Sequence, residues 1–299
     1  MTIPSRIVDA HHHFWDLGAV RYPWLMERGK KRFFGDPTPI QKNFLPADLK
    51  DQSGALPIQK TVHIQVGAAP DQSVAETVWL DQQAETTGLP AGIVAFADLT
   101  APDLEDQLAE HAGASLRLRG VRQIVSRSTD EDEQTGTANL LYDDRFLAGQ
   151  GTLAQHGLTF DLQLTPPFLG AAASLFSKVE GARVALCHAG SLQEYSAAGR
   201  KHWTDGLKNL RDSADVLCKI SGFGMFQHQW TDEDVRAWVL QVIDVFSPSH
   251  VAFGSNFPVD GLYASYERVW SAFFKATADF SDEERAMMYA GNAEAFYRI

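Results

Sequence analysis

The chain is poor in cysteine, poor in basic residues and free of long apolar runs. Only two cysteines occur in 299 residues, Cys187 and Cys218, each inside an apolar run (VALCHAG and DVLCKIS). Thiols in such surroundings pack as small buried hydrophobes; they offer neither a disulfide framework nor a Cys-x-x-Cys metal site. Lys and Arg number 26 against 38 Asp and Glu, a formal charge of −12, and the isoelectric point is near 5.2. That balance argues against a general nucleic-acid binder, which would carry a basic surface. No apolar stretch approaches membrane-spanning length, and the opening MTIPSR lacks the apolar segment of a signal peptide. The expectation is a soluble, cytoplasmic protein that binds neither nucleic acid nor membrane. Hydrophobic residues make up 44% of the chain, ample for a large core.

What the chain does have is a rhythm. Short apolar runs alternate with longer amphipathic ones and read IVDAHH (7–12), TVHIQV (61–66), GIVAFADL (92–99) and GVRQIV (120–125). They continue as LTFDLQL (158–164), RVALCHAG (183–190), DVLCKISG (215–222) and HVAFGSN (250–256). Between them lie helical patterns such as DQSVAETVWLDQQAETT, PDLEDQLAEHA, TDEDVRAWVLQVIDVF and LYASYERVWSAFFKATA. Thr231 is followed three residues later by Asp234, and Ser281 by Glu284, a helix-start signature. Strand–helix alternation argues for a parallel sheet, and eight units in this length fit a (β/α)8 barrel over 1–299. The segment 15–51 is then a long first loop, of the kind that carries function.

The run of three histidines in RIVDAHHHFWDL ends the first of these strands. Strict alternation puts Asp9, His11 and His13 on one face, with Val8, Ala10 and His12 on the other. Imidazoles at i and i+2 can converge on one metal ion. Sorting the other strands so that apolar residues pack outward on helices leaves an inward polar set. It holds His63, Gln65, Arg122, Asp161, Gln163, Lys219 and Asn256, to which the end of the sixth strand adds His188. An inward lysine needs a counter-charge or a function.

The ordered motifs DAHHHFW, VALCHAG, CKISG and FGSNFPVD, with YPWL after the first strand, resemble the amidohydrolase superfamily. The closer likeness is to its lactonase-like branch, which includes L-fuconolactonase, L-rhamnonolactonase and 2-pyrone-4,6-dicarboxylate lactonase. The resemblance covers essentially the whole chain. It implies a (β/α)8 TIM barrel hydrolysing a lactone of a sugar acid or of an aromatic ring-cleavage product. It places His11, His13 and His188 around a divalent metal, zinc by preference, or directly around a substrate carbonyl. The branch varies in its metal dependence.

One departure matters. The family's last motif reads GSD, with the aspartate as general base, whereas here Asn256 stands in that position. An amide cannot take a proton from water. Asp260 is a candidate replacement; His188 or another inward group is a second, and a reaction other than hydrolysis is a third. Arg122 and Lys219 are candidates for holding a carboxylate. Tyr22, Trp24, Gln65 and Asp161 complete the expected substrate contacts. A metal-dependent decarboxylase or lyase acting on an unsaturated acid, and a non-catalytic binder of small acids, remain as alternatives. Exposed aromatics in the first loop are compatible with a homo-oligomer.

Overall fold

The computed structural model describes residues 3–299. Eight parallel strands form one sheet in sequence order: β1 (Ile7–His12), β2 (Ile58–Ile64), β3 (Gly92–Ala95), β4 (Leu118–Val121), β5 (Thr159–Leu162), β6 (Arg183–Leu186), β7 (Asp215–Ile220) and β8 (Val251–Phe253). The helices that follow them are α1 (Pro46–Ser53), α2 (Ser73–Thr87), α3 (Leu104–Ala114), α4 (Asp144–Gln155), α5 (Leu169–Phe176), α6 (Ala197–Arg211), α7 (Asp232–Phe246) and α8 (Tyr266–Ala276), and α9 (Asn292–Tyr297) ends the chain. Backbone hydrogen bonds from Asn256 N to His11 O (2.7 Å) and from His13 N to Phe257 O (2.8 Å) lace the two outer strands together. The result is a nearly closed (β/α)8 barrel.

Local chemistry sets these elements. Thr231 caps α7 through a reciprocal pair with Asp234, and Ser281 does the same with Glu284 for the short helix Asp282–Ala286. Helix α8 buries Tyr266, Val269, Trp270, Phe273 and Phe274, the spacing of one helical face. Each such side chain contributes about 1.5–3 kcal/mol by leaving water.

Alternate strand residues separate into two cores. Ile93, Val121, Phe160, Leu162, Val184, Leu186, Val216, Cys218, Ile220, Val251 and Phe253 pack outward in the larger cluster under the helices. Val8, Ala10, Val62, Ile64, Val94, Ala185, Leu217 and Ala252 join Phe296 and Tyr297 of α9 in a second cluster, the barrel interior. The second strand therefore reverses the expected sorting: Val62 and Ile64 face inward and His63 faces out. Interior positions low in a barrel form a packed apolar core, so polarity alone misassigned them. The fourth strand is also earlier than its apolar run implied, leaving Arg122 just beyond its end.

Candidate active site

A cavity of about 480 Å³ opens at the C-terminal ends of the strands, where (β/α)8 barrels carry their chemistry. His13, Gln65, Arg122, Gln163, His188 and Asn256 line it, and Trp24, Phe33 and Phe34 from the first loop build an apolar wall. Trp24 is held by Nε1 donating to Val66 O at 2.7 Å and packs edge-on against Phe34.

The histidine strand does not alternate strictly. Pairing with β2 slips between Asp9 and His12, so Asp9 turns toward the helices while His11 turns inward. The Asp9 carboxylate accepts from Ser255 N at 2.8 Å and from the Tyr266 hydroxyl at 2.8 Å, fixing the start of the Ser255–Asn256 segment. A Cβ at Gly254 would meet His11 Cβ at 2.6 Å, so glycine is needed where β8 passes this strand. The His11 ring lies 4.4 Å from that of His188 and 5.2 Å from that of His13. His11 is fully buried and lies outside the cavity lining, with neither ring nitrogen partnered.

His188 and Asn256 both sit in left-handed backbone, at φ 54° and 55°. Such conformations cost about 1–3 kcal/mol in non-glycine residues and gather at functional positions. His188 Nδ1 pairs with Ser221 Oγ at 3.0 Å. Gly222 lies beside it at φ 70°, where any Cβ would come within 2.4 Å of Nδ1. The CKISG motif thus supplies one partner and one clearance for this ring. His13 Nδ1 is 2.7 Å from Ile64 O. A carbonyl only accepts, so Nδ1 carries the hydrogen and Nε2 keeps its lone pair. Burial, assisted by Arg122, pushes His13 down to about 3, and burial likewise lowers His11 and His188 well below the ordinary range.

Arg122 is buried, donates to Gln65 O and to Gln163 Oε1 (2.8 Å), and its Nε–H has no acceptor. No carboxylate lies within salt-bridge distance of it among the described residues. Asp260 lies behind Asn256, whose Nδ2 donates to Asp260 Oδ1 at 3.2 Å. Burial pushes Asp260 up to about 7, against hydrogen bonds from Asn256 and from the backbone of Gly224 and Gly222.

Several expected contacts are displaced. Asp161 and Lys219 do face inward, but they pair with each other beneath the cavity, and Tyr297 donates to Asp161 at 2.8 Å. Asp161 precedes the lining residue Gln163 by two positions, about 6–7 Å down the strand. Tyr22 is buried outside the lining, where its hydroxyl interacts with Glu76 on α2. His63 accepts from Phe14 N at 3.0 Å and lies 4.0 Å from Glu76, outside the barrel. Arg32, Phe33, Phe34, Arg127 and Met225 line the cavity without having been singled out in the sequence. They belong to loops, where no periodicity marks them.

A family model described as Amidohydrolase matches residues 8–299. The chain belongs to the amidohydrolase family. It is 36% identical over 300 residues to an uncharacterised protein of Sinorhizobium fredii, covering 98% of each chain. It is 26% identical over 305 residues to L-fucono-1,5-lactonase of Burkholderia multivorans, covering 98% of this chain and 96% of that one. Its fold matches a zinc-bound amidohydrolase from Burkholderia multivorans with a TM-score of 0.82 at 24% identity, over 98% and 99% of the two chains. No helix among the described residues is long and apolar enough to cross a membrane.

Membership of this family raises the question of a divalent metal, and the residues here do not fit one. Among the described residues, no group of three His, Cys, Asp or Glu side chains could hold an ion. An amide, Asn256, replaces the family carboxylate, so the set lacks an anionic ligand. Arg122, with no carboxylate in ion-pair distance, puts a positive charge beside His13 and His188 and disfavours a dication. The unpartnered nitrogens of His11 do not alter that field.

Proposed function

We propose that this amidohydrolase opens a lactone ring by water attack, using its own side chains. The observation that carries this reading is the cavity floor: His13, His188, Arg122 and Asn256 converge there, with Asp260 one hydrogen bond behind. The kinship with L-fucono-1,5-lactonase supports it. His13 Nε2 accepts from the attacking water and sets its direction. A water that displaces the Asn256 amide from Asp260 Oδ1 lies at once on the wall and on a carboxylate. With its pKa near neutrality, Asp260 suits a general base. The water oxygen bonds to the carbonyl carbon while Asp260 takes the proton. Arg122 Nε–H and the Nε2–H of His188, whose Nδ1 accepts from Ser221 Oγ, face the oxygen that gains charge. Collapse of the adduct breaks the ring C–O bond, and Asp260 returns the proton to the departing alkoxide. The product is a hydroxy acid whose new carboxylate rests on Arg122.

The test is Asp260→Asn, assayed on sugar-acid and pyrone lactones for ring opening and for carbon dioxide release. A base must be ionised, so kcat/KM rises with pH through about 7 and then levels. The variant loses about 10²-fold or more, the usual contribution of a general base, and that limb with it. Asp260→Glu keeps the limb. Unchanged turnover and profile in Asp260→Asn would remove Asp260 from the mechanism. Carbon dioxide release without ring opening would replace hydrolysis with decarboxylation.

A further inference from the structure

The cavity is rich in cationic hydrogen-bond donors and empty of anionic acceptors. No aspartate or glutamate lines it, yet three arginines do: Arg122 on the floor, and Arg32 and Arg127 nearer the first loop and the β4 loop. The three glutamine side-chain oxygens of the lining already accept hydrogen bonds. Gln65 Oε1 accepts from Gly67 N (2.6 Å), Gln163 Oε1 from Arg122 (2.8 Å) and Gln123 Oε1 from Leu99 N (3.0 Å). A neutral polyhydroxylated ring would bring many donors to a wall with few free acceptors and no carboxylate. An anion meets the opposite situation.

Arg32 and Arg127 share a single carboxylate. Glu131, on the short helix Thr129–Thr135, lies 3.3 Å from Arg32 and 3.8 Å from Arg127. All three side chains are about one-fifth to one-quarter exposed. Even with Asp132 near Arg127, the two guanidinium groups have spare donors, Arg32 Nε–H among them, beside Trp24, over whose ring Arg32 sits at 5.9 Å. Glu131 therefore marks where a carboxylate belongs, and it comes from the chain itself.

We infer that the substrate carries a carboxylate remote from the reacting carbonyl, and that Arg32 and Arg127 bind it in exchange for Glu131. The substrate class is an anionic lactone with a planar or unsaturated ring, which the Trp24–Phe33–Phe34 wall covers, rather than a neutral sugar lactone. The reacting group in this inference rests on the lactone reading; the remote anion site does not.

Two probes separate the two. In turnover, 2-pyrone-4,6-dicarboxylate is opened with a kcat/KM at least about 100-fold above that for L-fucono-1,5-lactone, two charge-assisted contacts being worth about that much. The double variant Arg32→Met/Arg127→Met raises KM for the dicarboxylate about 100-fold with little change in kcat, and so removes its advantage over the neutral lactone. Glu131→Gln acts in the opposite direction, tightening the dicarboxylate severalfold by removing the internal competitor. In calorimetry, benzene-1,3-dicarboxylate binds more tightly than benzoate, and the double variant abolishes the difference. Equal turnover of both lactones, or equal binding of both benzoates in the wild type, would overturn the remote-anion site. Charge-selective binding with neither lactone opened would sink the lactone reading and leave the anion site standing.

Discussion

Five buried histidines gather around the first two strands, and they divide into two groups with different neighbours. His11, His13 and His188 cluster over the barrel axis, close to Arg122 and Lys219. His12 and His63 lie on the other side of the same strands, against Phe14 and Glu76. Burial lowers all five, so it does not tell them apart. What differs is the boundary each group faces. Two of the first group border a cavity with unsatisfied donors and strained backbone. The second group is sealed beneath α2, where His63 serves the backbone of Phe14. On the proposed mechanism, the same side chain is catalytic apparatus in one place and structural filling in the other.

The largest test of that contrast is substitution of the cavity pair. His188→Ala and His13→Ala should each lower kcat/KM by about 10²–10³-fold, the usual loss when one polarising or orienting group leaves an active site. Their circular dichroism melts should stay close to wild type, because the rings border open space. His63→Ala should do the reverse. It leaves a void and an unpaired Phe14 N–H, costing about 2–4 kcal/mol in chemical denaturation. The folded fraction should retain nearly full turnover. Loss of activity without loss of stability in His63→Ala would erase the distinction.

Removing metal probes the same division with a smaller expected effect. Because the donor set does not suit a dication, dialysis against a chelator should leave ring-opening activity within about twofold of the untreated protein. A chelator-sensitive activity restored by stoichiometric zinc would show that His11, His13 and His188 act as ligands despite Asn256.

Much of this arrangement is readable from the letters alone, and the failures have physical causes. Ile7–His12 coincides with its apolar run, and the caps at Thr231 and Ser281 form as their spacing implies. Gln65, Arg122, His188 and Asn256 face the cavity because strand ends in a barrel converge there. Depth along a strand is harder to read. Asp161 and Lys219 have the right direction but lie one layer too low, and neutralise each other. The slip in the first strand is invisible in sequence, since a bulge leaves no compositional trace. Alternation therefore placed Asp9 beside His11, whereas it reaches Tyr266 instead. Arg32 and Arg127 escaped notice because loop arginines look like any solvated charge until the chain brings them to one carboxylate.

The finest test concerns Glu76, the acid that seals the structural pair. Burial raises its pKa to about 7, and the hydrogen bond from Val66 N only partly offsets this. The folded protein therefore holds this proton more tightly than the unfolded chain does. Stability from that preference is full below the ordinary glutamate range and is lost as pH rises through about 7. Glu76→Gln keeps an oxygen for Val66 N and removes the titration. Relative to wild type, the variant should gain about 1–3 kcal/mol in unfolding free energy between pH 5 and pH 8, its ring-opening activity hardly changed. If Glu76 is instead held ionised by its neighbours, the variant loses stability at every pH. In that case His63 would have a charged partner, and the two histidine groups would differ in charge as well as in what they face.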